Sequence, residues 1–246
     1  MGQEIILLCL LFFVIAAVYS SAGFGGGSSY LAVLSLMNLD FTDLKIIALC
    51  CNITVVLGST FLFAKHLEIN WRRIIPLIIL SVPLAYLGGR FRLSQQTFFI
   101  ILGFSLLLAS LVMFFGQVKE SRQLPRFSNA LIGGGIGFLS GIVGIGGGIF
   151  LSPILHISRW GKPKIIAATA AVFILLNSSA GLIGQVSTYG FSIQWSQLLP
   201  LLFCVFLGGQ IGVRSTILKF SPRFVKQITA FVILIVAVRL FVEHLF

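Results

Sequence analysis

Gly23-Phe24-Gly25-Gly26-Gly27 and Gly144-Ile145-Gly146-Gly147-Gly148 lie inside two long apolar stretches of this 246-residue chain, at matched places in its two halves. Each glycine weakens a helix by about 1 kcal/mol relative to alanine, so a cluster of them interrupts the helix that carries it. The expected fold is therefore organised around two broken helices. Each divides into a longer arm (about 4–20 and 128–140) and a shorter one (about 28–38 and 149–158).

Outward from these runs the chain is 58% hydrophobic and only 9% charged. Apolar stretches fall at about 4–38, 46–64, 74–89, 97–116, 129–158, 165–184, 195–213 and 224–242. Uncharged windows of about 20 residues that recur in this way define an all-α polytopic membrane protein and exclude an ordinary soluble domain. The net charge of +11 does not mark a nucleic-acid surface, because the 17 Lys and Arg sit at segment ends or in short loops. Cys9, Cys50, Cys51 and Cys204 fall in apolar segments without a Cys-x-x-Cys pair and read as small buried hydrophobes. The first segment has the length of a signal peptide. Its start carries Glu4 and no Lys or Arg, and its glycine run has a counterpart in the second half, so it is expected to remain in the mature protein.

The halves repeat each other. Lys45-Ile46-Ile47-Ala48 answers Lys164-Ile165-Ile166-Ala167, Ile69-Asn70-Trp71 with Pro76 answers Ile193-Gln194-Trp195 with Pro200, and Gly88-Gly89-Arg90 answers Gly212-Val213-Arg214. Landmarks in one order indicate an internal duplication, with residues 1–118 as the first membrane repeat, 119–128 as a connecting loop and 129–246 as the second repeat.

Loop charges choose the topology. If all eight segments cross, Lys and Arg divide 10 to 7 between the two sides. If segments one and five fold back as re-entrant hairpins, six crossings remain and the repeats are inverted. Loops 65–73, 117–128, 159–164 and 214–226 then share a side, leaving Lys45, Arg90, Arg92 and Arg239 opposite, a division of 13 to 4. A strong cytoplasmic excess in short loops favours the hairpins, with both termini outside.

In that arrangement the glycine tips meet near the bilayer midplane. Unpaired N–H groups at a helix N-terminus bind oxyanions without a basic side chain, and glycine lets the ligand approach the backbone. The expected binding residues are Gly25, Gly26, Gly27 and Ser28 at the first tip and Gly146, Gly147 and Gly148 at the second. Polar residues inside the spans are costly in lipid and are expected to face a cavity or another helix. In the register of the Lys-Ile-Ile-Ala repeat, Gly58-Ser59-Thr60 meets Asn177-Ser178-Ser179, so Ser59, Thr60, Asn177, Ser178 and Ser179 join the candidate site, with a bond from each hydroxyl to a carbonyl one turn back on its own helix as the equal alternative. Asn52, Thr54, Thr169 and Gln210 are further polar positions inside the spans, and Arg90 and Arg214 end matching spans, where they either draw anions into two vestibules or snorkel to the interface. Trp71 and Trp195 open their spans as interfacial anchors, while Gly133, Gly134, Gly135, Gly137 and Gly141 serve close helix packing. His66, His156 and His244 are scattered, and Asp40 and Asp43 share a loop without a histidine. No catalytic set, metal site or cofactor is expected.

These motifs resemble the TauE/SafE family of sulfite exporters, on the two Gly-x-Gly-Gly-Gly runs, the second preceded by Gly141-Ile142-Val143 and followed by Pro153, and on the Lys-Ile-Ile-Ala and Trp-x-x-φ-φ-Pro repeats. The first half has Leu34 near the place of Pro153. The resemblance covers essentially the whole chain. It implies export of sulfite, sulfoacetate or another organosulfonate across the inner membrane, with a small anion and the lipid bilayer as partners, no nucleic acid, and further copies of the chain left open. An anion channel and a membrane subunit without transport of its own are the alternatives.

Overall fold

The computed structural model describes residues 2–91 apart from 35, 36, 38, 39, 67 and 68, residues 126–218 apart from 159 and 162, and isolated positions within 94–111 and 231–242. Among these the regular structure is entirely helical: α1 Gly2–Ser21, α2 Gly27–Leu34, α3 Phe41–His66, α4 Trp71–Gly89, α5 Arg126–Val143, α6 Gly148–Ile157, α7 Pro163–Tyr189 and α8 Trp195–Leu218. The apolar stretches at 97–116 and 224–242 lie outside the described residues save for those isolated positions. Four helices are long and apolar enough to cross a membrane, over Thr42–His66, Trp71–Gly89, Lys164–Tyr189 and Trp195–Ser215. Helix α5 begins at Arg126, inside the stretch read as connecting loop. Lys45, read as a loop charge, lies within α3.

Both breaks are made by glycine in the left-handed region. Gly23 and Gly144 follow the last turns of α1 and α5 with φ of 81° and 75°. The next amide in each case reaches back to matching carbonyls, Phe24 N–H to Tyr19 O at 3.0 Å and Ile145 N–H to Ser140 O at 3.3 Å. This is the Schellman-type closure that ends a helix and satisfies its orphan carbonyls. Gly26 and Gly147, at φ 92° and 77°, then restart the chain as α2 and α6. Helix α2 turns back along α1: Tyr30 stacks on Phe12 at 4.5 Å, and the Ser29 hydroxyl donates to Tyr19 Oη at 2.8 Å.

The halves exchange arms. Helix α1 packs in parallel on α8, where β-carbons on Gly208 and Gly212 would collide with the carbonyls of Phe13 and Ala17, and Ser20 Oγ donates to Gly209 O at 3.0 Å. Helix α5 packs in the same way on α4, its Gly133, Gly137 and Gly141 set against the backbone of Leu77, Ser81 and Ala85. Glycine every fourth residue lets the two backbones touch, a common close packing between helices in lipid. Gly134 lies nearest the side chains of Leu80 and Leu84, and Gly135 faces open space.

Between these pairs, α3 and α7 run antiparallel. Lys45 and Gln185 lie together beside Gly144, Asn52 meets Ser178, and Phe63 shares an apolar cluster with Ala167. At one end the Arg73 guanidinium donates to Trp160 O at 2.9 Å, and at the other Ser192 Oγ donates to Asp43 Oδ1 at 2.6 Å. The outer surface is apolar, with Phe61, Ile79 and Phe203 each about two-thirds exposed, as lipid-facing positions are.

Gly137→Ala, which drives a methyl into the Ser81 carbonyl, is expected to lower the yield of monodisperse protein in detergent and its unfolding free energy by roughly 1–3 kcal/mol. Gly135→Ala is expected to be neutral or slightly stabilising on the same measurements.

Candidate functional site

The two tips come together at the middle of α3 and α7. A β-carbon on Gly27 would sit 3.3 Å from Ile145 Cα, and one on Gly148 would sit 3.3 Å from Phe24 Cδ1, so each tip touches the other. The side chain that joins them is Asn52. Its Oδ1 accepts from Gly27 N–H, the first amide of α2, at 3.2 Å. Its Nδ2 donates to Ser178 Oγ at 2.8 Å and to Ile145 O in the second tip at 3.4 Å. One amide, 1% exposed, thus holds both hairpins and α7. Breaking a helix inside an apolar medium leaves N–H and C=O groups that lipid cannot satisfy, and Asn52 carries one donor and one acceptor function to meet one of each.

Glycine is required at these contacts by space as well as by torsion. A β-carbon on Gly25 would run into Asn52 Oδ1, and one on Gly146 into Ser178 Oγ and, at 2.7 Å, Asn52 Nδ2. On Gly148 it would meet Ile174, and on Gly147 it would lie 3.0 Å from Ile136 and Ser140. Gly26 lies under the Tyr30 ring, whose hydroxyl is buried without a hydrogen-bonding partner. Ser28 Oγ, in the first turn of α2 and fully buried, also has none.

The candidate residues within the spans separate. Ser178 belongs to the junction through Asn52 and Gly146. Asn177 is buried beside it, with Nδ2 donating to Phe173 O at 2.8 Å and Oδ1 left unpartnered. Ser59 and Ser179 instead donate to carbonyls one turn back on their own helices, Val55 O at 3.0 Å and Leu175 O at 2.8 Å. Thr60 Oγ1 is buried without a partner. Its neighbour Gly58 packs under Gln210 of α8. Ser178 therefore meets Asn52 and not Ser59, because antiparallel helices bring low numbers on one against high numbers on the other. Arg90 and Arg214 are exposed, Arg90 lying over the Tyr86 ring at 5.7 Å.

Asn52 was legible in the sequence as a costly polar residue in a span, but nothing in the chain order ties it to a glycine run. Lys45 is 3% exposed and was hidden by its place at the start of an apolar stretch.

A helical polytopic protein with two broken elements meeting at its centre has the design of a membrane transporter. The chain belongs to the sulfite exporter TauE/SafE family, which it matches over residues 8–240. It is 33% identical to the probable membrane transporter protein y4hK of Sinorhizobium fredii, over 98% of this chain and 99% of that one. It is 26% identical to the probable membrane transporter protein MJ0441 of Methanocaldococcus jannaschii, over 89% of each. It is 27% identical to the probable membrane transporter protein YunE of Bacillus subtilis, over 45% of this chain and 40% of that one. No solved structure matches. The protein is a multi-pass membrane transporter.

Asn52→Leu removes the amide while keeping its bulk and strands buried partners on both tips, at about 1–3 kcal/mol for each unsatisfied group. Its unfolding in detergent is expected at lower denaturant than wild type. Ser59→Ala, which deletes only a bond to its own helix, is expected to unfold with wild type.

Proposed function

We propose that the protein exports a small sulfur-containing anion, sulfite or an organosulfonate, across the cell inner membrane by alternating access around the junction of the two glycine tips. The observation that carries this is the meeting of the α2 and α6 N-termini at the middle of α3 and α7. Each helix start brings partial positive charge and backbone N–H groups to one place, where an oxyanion is stabilised without a metal or cofactor. Gly25, Gly26, Gly27 and Ser28 supply one side of the site and Gly146, Gly147 and Gly148 the other, with Ser178 and Asn177 alongside.

The inverted-repeat topology belongs to this reading. The antiparallel crossing of α3 and α7 supports it, as do the contacts at the two ends. The Arg73–Trp160 bond joins the start of α4 to the segment before α7, and the Ser192–Asp43 bond joins the segment after α7 to the start of α3. Eight full crossings would separate both pairs; re-entrant hairpins unite them. Two halves of opposite orientation around one site have two rest states related by a two-fold axis in the membrane plane, inward and outward, which is what alternating access needs. The interior-negative potential drives export at about 2.3 kcal/mol per charge per 100 mV, so no coupling carboxylate is required.

In the closed junction the Asn52 amide oxygen holds the Gly27 N–H. An arriving oxyanion competes for that donor with a full charge, and charge-assisted hydrogen bonds are roughly twice as strong as neutral ones. Substrate entry thereby loosens the link between the tips and permits the halves to move.

The test is uptake into proteoliposomes of purified protein, across sulfite, sulfoacetate, taurine, sulfate and chloride. Saturable flux of a sulfur anion is expected, reduced at least about tenfold by Ser28→Ala, whose hydroxyl has no protein partner to lose and is worth about one charge-assisted hydrogen bond. Gly147→Val is expected to abolish flux. Unsaturable currents would identify a channel, and silence toward every anion would refute the proposal.

A further inference from the structure

Lys45 lies in an apolar helix, in the fifth position of α3, and is 3% exposed. It is the only charged side chain that is buried among the described residues. Charge taken out of water into lipid or protein costs several kcal/mol, and an intramembrane lysine that merely snorkelled would show its ammonium at the surface. Its position is specific. Lys45 Cβ and Cγ lie 3.6 and 3.7 Å from where a β-carbon on Gly144 would stand, at the turn that opens the second tip. Gln185 Nε2 stands 3.7 Å from the same point, and its Oε1 is buried without a partner. Asn52 follows two helical turns later on the same face of α3.

Among the described residues, no other charged side chain is buried beside a glycine turn. Gly23 matches Gly144 in sequence and in its left-handed backbone, yet its neighbour is the backbone of Ala167. The duplicated Lys-Ile-Ile-Ala motif thus places one lysine against a glycine turn, while Lys164 stands at the start of α7 and is half-exposed.

We propose that Lys45 is the fixed cation of the anion path, a substrate-binding residue beside the second glycine turn that selects oxyanions by charge. This rests on the anion reading given above and sharpens it. Helix dipoles at the two tips offer only partial charges, of about half a unit each. Lys45 adds a whole one on the same face, so a negative solute gains most from this site and a zwitterion such as taurine gains little.

The experiment uses the full-length protein, wild type and K45M, K45Q and K45R. Initial rates against concentration of sulfite and sulfoacetate are measured in proteoliposomes. Thermal stabilisation by the same anions is measured in detergent, where transport plays no part. K45M keeps the aliphatic stem and deletes the charge; K45Q serves the same purpose if K45M fails to insert. The neutral variants are expected to raise the apparent KM about tenfold or more, the loss of one charged hydrogen bond, and to abolish stabilisation by the anions. K45R is expected to recover most of both. A neutral variant with the wild-type KM and wild-type stabilisation overturns the assignment while leaving the anion reading intact. Lower stability with unchanged KM, and no rescue by K45R, would show a structural lysine and also overturns it. A wild type that neither moves these anions nor is stabilised by them removes the anion reading and Lys45 together.

Discussion

The Asn52 amide is the interaction on which the centre of this protein depends. Glycine turns that end α1 and α5 free backbone groups at a depth where no solvent can bind them. A side chain with one donor and one acceptor end can answer both tips only from between them. Asn52 does so from α3, bonded to Gly27, Ile145 and Ser178. A carboxylate at that place could not donate to Ile145 O or Ser178 Oγ, and an apolar residue would leave the tips without a partner. An amide is neutral and carries both functions, so it joins the tips without burying a charge.

The helix–turn–helix breaks were legible because glycine punctuates an apolar stretch in a way no other residue does. The structure ends α1 at Ser21 and α5 at Val143, within a few residues of the arms drawn from sequence. The packing glycines were legible too, since a four-residue spacing marks a face, although Gly135 turns away from its neighbour. Less was visible in α3 and α7. A repeat aligns residues by a constant difference in number, whereas antiparallel crossing brings them together with one number rising as the other falls. Aligning Ser59 with Ser178 therefore named two related places in the repeat and missed the contact, which Asn52 makes. Lys45 escaped for a different reason. Burial of a lysine depends on what another segment, here the turn at Gly144, lays over it, and chain order does not display that.

The exchange of arms explains why the tips can be small. Helices α1 and α5 are held along their length by backbone-close contact with α8 and α4, so the hairpin tips need little packing of their own to stay in place. Close packing resides at the periphery, in glycine seams, and the centre is joined by a few hydrogen bonds. Membrane interiors offer weak hydrophobic pressure between helices, which makes such close seams the natural source of rigidity.

That exchange also decides how the chain can be divided. The first arm of each half lies on the other half, with α1 lodged against α8 and α5 against α4. Cut between α4 and α5, each piece would carry an arm with no seam to lie in and a seam with no arm. Neither piece therefore holds its shape alone, and the two regain it only by docking on each other.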